Sequence, residues 1–258
     1  MKKLLFLFYG VMSYLIFFAT FCYAVGFVSS LFVPKHIDSV PESPFGYALM
    51  VNAALLSLFA VQHSVMARPA FKRWWTRFVP EPIERSTYVL LASLCLILLF
   101  WKWQPMGGVI WNFESETARV ILKSLCLFGF TIVLVSTFLI NHFDLFGLRQ
   151  VWLYFTGKRY EHLPFRTPLF YKYVRHPLYL GFMIAFWATP TMTAAHLFFA
   201  IMTTSYMLTA IQFEENDLIR HFGSRYREYR RNAPMLIPFS KFSRNRKVGK
   251  EMLEEAQK

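Results

Sequence analysis

The residues able to do chemistry crowd into one third of the chain. Arg175-His176-Pro177-Leu178-Tyr179-Leu180-Gly181 stands before an apolar stretch, and Glu214-Glu215-Asn216-Asp217-Leu218 stands after it. His221-Phe222-Gly223, Tyr226, Tyr229, Pro234 and Ile237-Pro238 follow. In the first cluster His176 and Tyr179 share a helical face, and Pro177 suits a first helical turn, where its missing N–H costs nothing. In the second, Glu214, Asp217 and His221 recur on one helical face, with Glu215, Leu218 and Phe222 on its neighbour. Two acids directly after an uncharged run favour a cationic partner: an amine, a sulfonium or an arginine. Each cluster alone also fits a membrane-helix end with a snorkelling arginine, or a solvated face. A turn near Thr189-Pro190-Thr191 would fold the stretch back on itself and bring both clusters to one level.

Apolar elements must position these clusters. The 258 residues are 55% hydrophobic and 19% aromatic, with long uncharged runs, which predicts an all-α polytopic membrane bundle. Leu4–Val33, Phe45–Met66, Ser86–Trp103 and Ala118–Ile140 read as four spans. The first is too long for a signal-peptide core and is expected to remain as an anchor. After a polar connector, Asn141–Arg175, comes a helical hairpin. Its arm Pro177–Thr189 is short for a full crossing at about 1.5 Å per residue, and its arm Met192–Phe213 is long enough. The expected organisation is a four-span bundle over 1–140, then connector, hairpin and tail over 141–258, in one structural domain.

Charge orients this arrangement. Lysine and arginine gather at the N-terminus and at 68–85, 141–175 and 220–258, whereas the loops 34–44 and 104–117 are acidic or nearly neutral. Placing basic segments inside predicts cytoplasmic N- and C-termini. His63, His142, His176 and Glu214-Glu215 then share the cytoplasmic boundary, where ionisable groups are functional candidates. Topology and contact with anionic membrane lipid account for the net charge of +13, so nucleic acid is not an expected partner. Cys22, Cys95 and Cys126 lie in apolar runs without metal-ligand spacing, and no metal is expected.

Together the two clusters resemble the membrane methyltransferases typified by isoprenylcysteine carboxyl methyltransferase and the phospholipid N-methyltransferases. Those share an Arg-His-Pro-x-Tyr-x-Gly stretch, Glu-Glu after a helical hairpin, and a Phe-Gly…Tyr…Tyr…Pro…Ile-Pro ending, all present here between Arg175 and Pro238. Upstream, Gln62-His63-Ser64-Val65-Met66-Ala67-Arg68-Pro69 resembles NnrU-like membrane proteins. With Asn141-His142-Phe143-Asp144-Leu145-Phe146-Gly147-Leu148-Arg149-Gln150-Val151, the chain looks like the methanethiol S-methyltransferases, which form dimethyl sulfide.

The resemblance implies a pocket for S-adenosylmethionine, the methyl donor, at the hairpin ends and tail. Arg175 and His176 suit its carboxylate, Glu214 or Glu215 its amine or ribose hydroxyls, and Tyr179, Tyr226 and Tyr229 its adenine or sulfonium. Gly181 completes the motif. The acceptor implied is a small volatile thiol, which attacks as a thiolate and so needs a base. His142 with Asp144, or His63, is expected to take that proton. Arg149 is expected to steady the thiolate or orient the acid, and Arg68 and Gln150 to face the acceptor. His36, His162 and His196 receive no role. A bacterial inner-membrane location goes with this resemblance. Two competing readings are a methyltransferase for a lipid-like acceptor (a prenylated cysteine or amine headgroup), which needs a wide lateral opening, and a non-enzymatic NnrU-like protein, which has no need of the paired clusters.

Overall fold

In a computed structural model the protein is described over residues 1–161 and 163–238. The basic tail beyond Pro238, and His162, lie outside the described residues. The elements in chain order are α1 (Lys2–Ser29), α2 (Phe45–Ala67), α3 (Pro69–Trp75), α4 (Glu81–Lys102), β1 (Val109–Asn112), α5 (Glu116–Ile140), α6 (His142–Leu145), α7 (Leu148–Phe155), α8 (Phe170–Tyr173), α9 (Pro177–Trp187), β2 (Thr191–Thr193), α10 (Ala194–Phe222) and α11 (Ser224–Asn232). Five of these helices, α1, α2, α4, α5 and α10, are long and apolar enough to cross a membrane. Leu5, Phe8, Met50, Ile121 and Phe128 stay exposed along them, as a lipid-facing surface requires. The chain is an all-α integral membrane bundle. Phe27, Leu99, Phe100, Trp103, Phe130, Phe186 and Phe199 form one buried cluster that joins α1, α4, α5, α9 and α10.

Two boundaries differ from expectation in ways that matter. The third span begins at Glu81, where Pro82 and the acids Glu81 and Glu84 suit a helix N-terminus. The long hairpin arm does not stop at Phe213 but continues unbroken to Phe222. Glu214, Glu215 and Asp217 therefore ride on the same rigid helix as the membrane arm.

The short arm returns to the far end of the bundle by a mixed route. α9 has 11 residues, a rise of about 16 Å, against about 32 Å for α10 from Ala194 to Glu215. An extended stretch supplies the rest, and its backbone groups need partners that lipid cannot offer. β2 pairs antiparallel with β1, in the loop expected to be irregular, with Asn112 opposite Thr191 and Trp111 opposite Met192. Trp111 Nε1 donates to the Thr189 carbonyl at 3.1 Å, and the Phe113 N–H to the Pro190 carbonyl at 3.0 Å. His196, which the sequence left without a role, fastens the same end. Its ring nitrogens lie 2.9 Å from Asp38 Oδ2 and 3.0 Å from the Phe186 carbonyl oxygen. The ring thus bridges the loop before α2 and the last turn of α9.

α9 packs against α5 through two glycines. A Cβ at Gly129 would stand 2.6 Å from the Gly181 carbonyl oxygen, and one at Gly181 would stand 2.7 Å from that of Gly129. In lipid, such close approach of backbones replaces the hydrophobic effect as the source of helix association. Gly129→Val is expected to destabilise the detergent-solubilised protein by about 1–3 kcal/mol, read from its denaturation midpoint. Gly46→Ala is the control, since a Cβ there meets nothing within 4 Å. An unchanged midpoint in Gly129→Val would count against this contact as a support of the bundle.

Candidate active site

The site begins with a buried acid. Glu215 is 3% exposed, and each of its oxygens is taken. Arg175 Nε donates to Oε1 at 2.6 Å, His176 Nε2 lies 3.2 Å from the same oxygen, and Arg230 Nε reaches Oε2 at 3.1 Å. Arg175 Nη1 also donates to the carbonyls of Arg230 and Ala233, at 3.1 and 2.7 Å. The backbone repeats the pattern, with the Arg175 and His176 N–H groups donating to the Pro234 and Met235 carbonyls. His176 caps α9 and Pro177 opens it, so the motif stands where the helix starts. One carboxylate thus ties together the start of α9, the late turns of α10, α11 and the strand of chain after it.

Glu214 has a different environment. Its side chain is 45% exposed, accepts from the Tyr179 hydroxyl at 3.1 Å and lies 4.0 Å from His176 Nδ1. Tyr226 is buried beside Arg175, Glu214 and Glu215, and its hydroxyl has no hydrogen-bond partner among the described residues. Burial, with the charge of Glu215 adding, pushes the Tyr226 phenol upward, so it remains a donor. Tyr229 is committed, donating to the Tyr171 carbonyl. Phe165 of the connector rests against Phe222, Tyr226 and Tyr229 at ring distances of 5.1–5.8 Å. An open cavity of about 480 Å³ beside this cluster is lined by Arg175, Arg227, Arg230, Arg231 and Met235. Gly181 faces α5 instead. Sequence reasoning missed Arg230 as the third partner of Glu215 and Phe165 as a cover. An arginine-rich helix carries no signal for which arginine turns inward.

A second polar group lies on α2 and meets the first. Arg68 Nη1 pairs with Asp217 Oδ2 at 3.0 Å, with its guanidinium 5.5 Å from the centre of the Phe213 ring. Ser64 Oγ and the Tyr206 hydroxyl are 3.0 Å apart. The Tyr88 hydroxyl of α4 lies 3.0 Å from both ring nitrogens of His63, and Phe59 stacks on that ring. The phenols of Tyr88 and Tyr206 are near enough to Tyr179 to interact with it electrostatically. Arg68 therefore meets α10 at Asp217, three residues beyond Glu214.

The Asn141–Gln150 corner is built otherwise than expected. His142 Nε2 lies 2.8 Å from the Tyr14 hydroxyl, and Nδ1 lies 2.8 Å from Thr137 Oγ1. Thr137 spends its proton on the Leu134 carbonyl, so it accepts from Nδ1–H, and Tyr14 then donates to Nε2. Phe138 stacks on the ring at 4.1 Å. Burial lowers the His142 pKa from its ordinary value. Asp144 is not in this network, which corrects the expected His142–Asp144 pair. It takes Arg149 at 2.9 Å, Gln150 at 3.4 Å and the Tyr160 hydroxyl at 3.3 Å. Arg149 and Gln150 are thus engaged in holding the α6–α7 corner.

These environments set distinct responses to substitution. Glu215→Gln leaves Arg175 and Arg230 without their counter-charge and is expected to cost about 3–5 kcal/mol, read by unfolding in detergent. Glu214→Gln removes a half-exposed acid and should leave the midpoint near the parent value. Burial disfavours the charged form of His142 in the folded protein, whereas an unfolded histidine takes a proton near pH 6.5. Below that pH the unfolded state binds more protons, so stability falls with pH. His142→Gln should lose less stability between pH 7.5 and 5.5 than the parent, and an equal loss would place the titrating group elsewhere.

Comparison with known proteins gives three relationships. The NnrU protein family matches residues 51–221. The methanethiol S-methyltransferase of Crocosphaera subtropica is 58% identical over 233 residues, covering 90% of this chain and 91% of its own. That of Mycobacterium tuberculosis is 56% identical over 239 residues, covering 93% and 98%. Nurim of Mus musculus is 31% identical over 183 residues, covering 66% and 68%. No solved structure matches the chain at a significant level.

Proposed function

The chain belongs to the NnrU family, alongside methanethiol S-methyltransferases, and we propose on that footing that it transfers a methyl group from S-adenosylmethionine to methanethiol. The observation that carries the reading is the division of labour between adjacent acids. Glu215 is saturated by Arg175, His176 and Arg230, while the half-exposed Glu214 keeps acceptor capacity.

The residues present suit the donor molecule. Glu214 can take an ammonium or ribose hydroxyls, and the Tyr226 hydroxyl supplies a further donor in the same place. The arginine-lined cavity suits a carboxylate. Tyr179 and His176 flank Glu214, and Arg175, Glu215 and Tyr229 hold the pocket's shape from behind. S-adenosylmethionine supplies an electrophilic methyl group on a sulfonium. In this reading the connector, hairpin and tail present the donor, and the four-span bundle brings the acceptor, chiefly through α2.

His63 is the base of this reaction. Its ring shares one hydroxyl between two nitrogens, whereas both nitrogens of His142 are occupied. The thiol proton passes to a His63 ring nitrogen, and the acceptor sulfur takes the methyl group. The products are dimethyl sulfide and S-adenosylhomocysteine. The acceptor and product are small and apolar enough to move through lipid. The location proposed is the bacterial inner membrane with cytoplasmic termini, so that the basic end faces the compartment holding the donor. Neither a lipid-like acceptor nor a non-enzymatic role is named by these methyltransferase relatives.

Headspace gas analysis of cells expressing the chain and given methanethiol tests this reading. Dimethyl sulfide well above an empty-vector control is expected, and equality with it would sink the assignment. In purified protein, Glu214→Gln should weaken S-adenosylmethionine binding about tenfold or more. His63→Ala should retain binding and lose roughly 10²-fold in turnover. Full turnover in His63→Ala would put the base elsewhere.

A further inference from the structure

We propose that Ser64, Tyr88 and Tyr206 form the seat of the acceptor sulfur, with the Ser64–Tyr206 hydroxyl pair donating to the thiolate. This rests on the methyl-transfer reading above. Ser64 Oγ and Tyr206 Oη lie 3.0 Å apart, and either one can be the donor. The pair holds two hydroxyl protons and uses one in its mutual bond, so one remains to give to a third atom. Tyr88 Oη is bonded to the His63 ring and brings the proposed base to the same place. Tyr179, whose own proton goes to Glu214, lies within electrostatic range of both other phenols. Ser64 and its neighbour His63 on α2 thus carry one phenol each, Tyr206 of α10 and Tyr88 of α4.

Neutral hydroxyls suit this step for a physical reason. A thiolate and a sulfonium annihilate their charges as the methyl group moves. A cation fixed on the thiolate would stabilise the reactants more than the transition state and slow the reaction. Of the two guanidinium groups near these residues, Arg68 is already engaged by Asp217 and by the Ser64 carbonyl, and Arg85 stands against the Tyr88 ring at 5.9 Å. A hydroxyl holds a soft anion in place with a smaller penalty, because it carries no full charge. Phe59, stacked on the His63 ring, and Phe213, beside Arg68, add apolar surface that suits a short alkyl group. The ligand class is a small alkyl thiol bound as its thiolate.

The experiment compares purified parent, Tyr206→Phe and Ser64→Ala for methanethiol kinetics across pH, together with S-adenosylhomocysteine binding. Tyr206→Phe should raise the KM for methanethiol about tenfold. It should also move the rising limb of its pH–rate profile to higher pH, because the bound thiol loses the donor that favours its ionised form. Ser64→Ala should shift both in the same direction by less. S-adenosylhomocysteine affinity should match the parent in both variants. Parent KM and an unmoved pH limb in Tyr206→Phe, with the parent active, would overturn the seat alone. Loss of S-adenosylhomocysteine binding in Tyr206→Phe would also overturn it, assigning the tyrosine to the fold. A parent that binds S-adenosylhomocysteine yet leaves methanethiol unmethylated would overturn the functional reading beneath it.

Discussion

Everything at the polar end of this bundle depends on how Glu215 is neutralised. A carboxylate taken almost wholly out of water costs several kcal/mol unless charge and hydrogen bonds surround it. Here Arg175, His176 and Arg230 do so, and they come from two distant segments, the start of α9 and α11. The requirement to satisfy one buried acid therefore determines where α9 begins, how α11 folds back and where the chain after Ala233 runs. It also leaves Glu214, one residue earlier, half in solvent and able to bind something else. Adjacent acids of the same type have been set apart by burial, one saturated and the other half-exposed.

That support is useful because the rest of the frame resists sliding. α10 is continuous from the far end of the bundle to Phe222, so the acids cannot drift relative to the membrane arm. α9 is pinned to α5 by the glycine contact, and its opposite end is held by the strand pair and the His196 contact with the Phe186 carbonyl. The α2 end is tied to α10 twice, by Ser64–Tyr206 and Arg68–Asp217. Methyl transfer needs the two reacting atoms held in line and little else, so a site built from fixed helix ends matches the chemistry proposed. The Arg68–Asp217 pair is partly exposed and contributes chiefly to position, since such pairs add little to stability.

Much of this was legible beforehand, and the failures have physical causes. Uncharged runs marked the spans, and helical spacing put the acids on adjacent faces, because both follow from local chain geometry. What spacing cannot say is which face meets a neighbour. It therefore could not separate the saturated Glu215 from the open Glu214, nor choose Arg230 among the arginines of α11. His142 looked catalytic beside Asp144 because the two are near in sequence. The turn of α6 instead sends one into an aromatic core and the other toward Arg149. The extended end of the short arm was hidden because its partner strand lies some eighty residues earlier, in a loop without strand patterning.

The central claim is that a methyl group passes directly from the donor held at the hairpin to a thiol arriving beside α2. A single turnover of the purified protein with trideuteromethyl-labelled S-adenosylmethionine and methanethiol measures this. The account predicts dimethyl sulfide carrying one fully deuterated methyl group, formed in step with S-adenosylhomocysteine. Unlabelled dimethyl sulfide, or label recovered on the protein or on lipid, would contradict it.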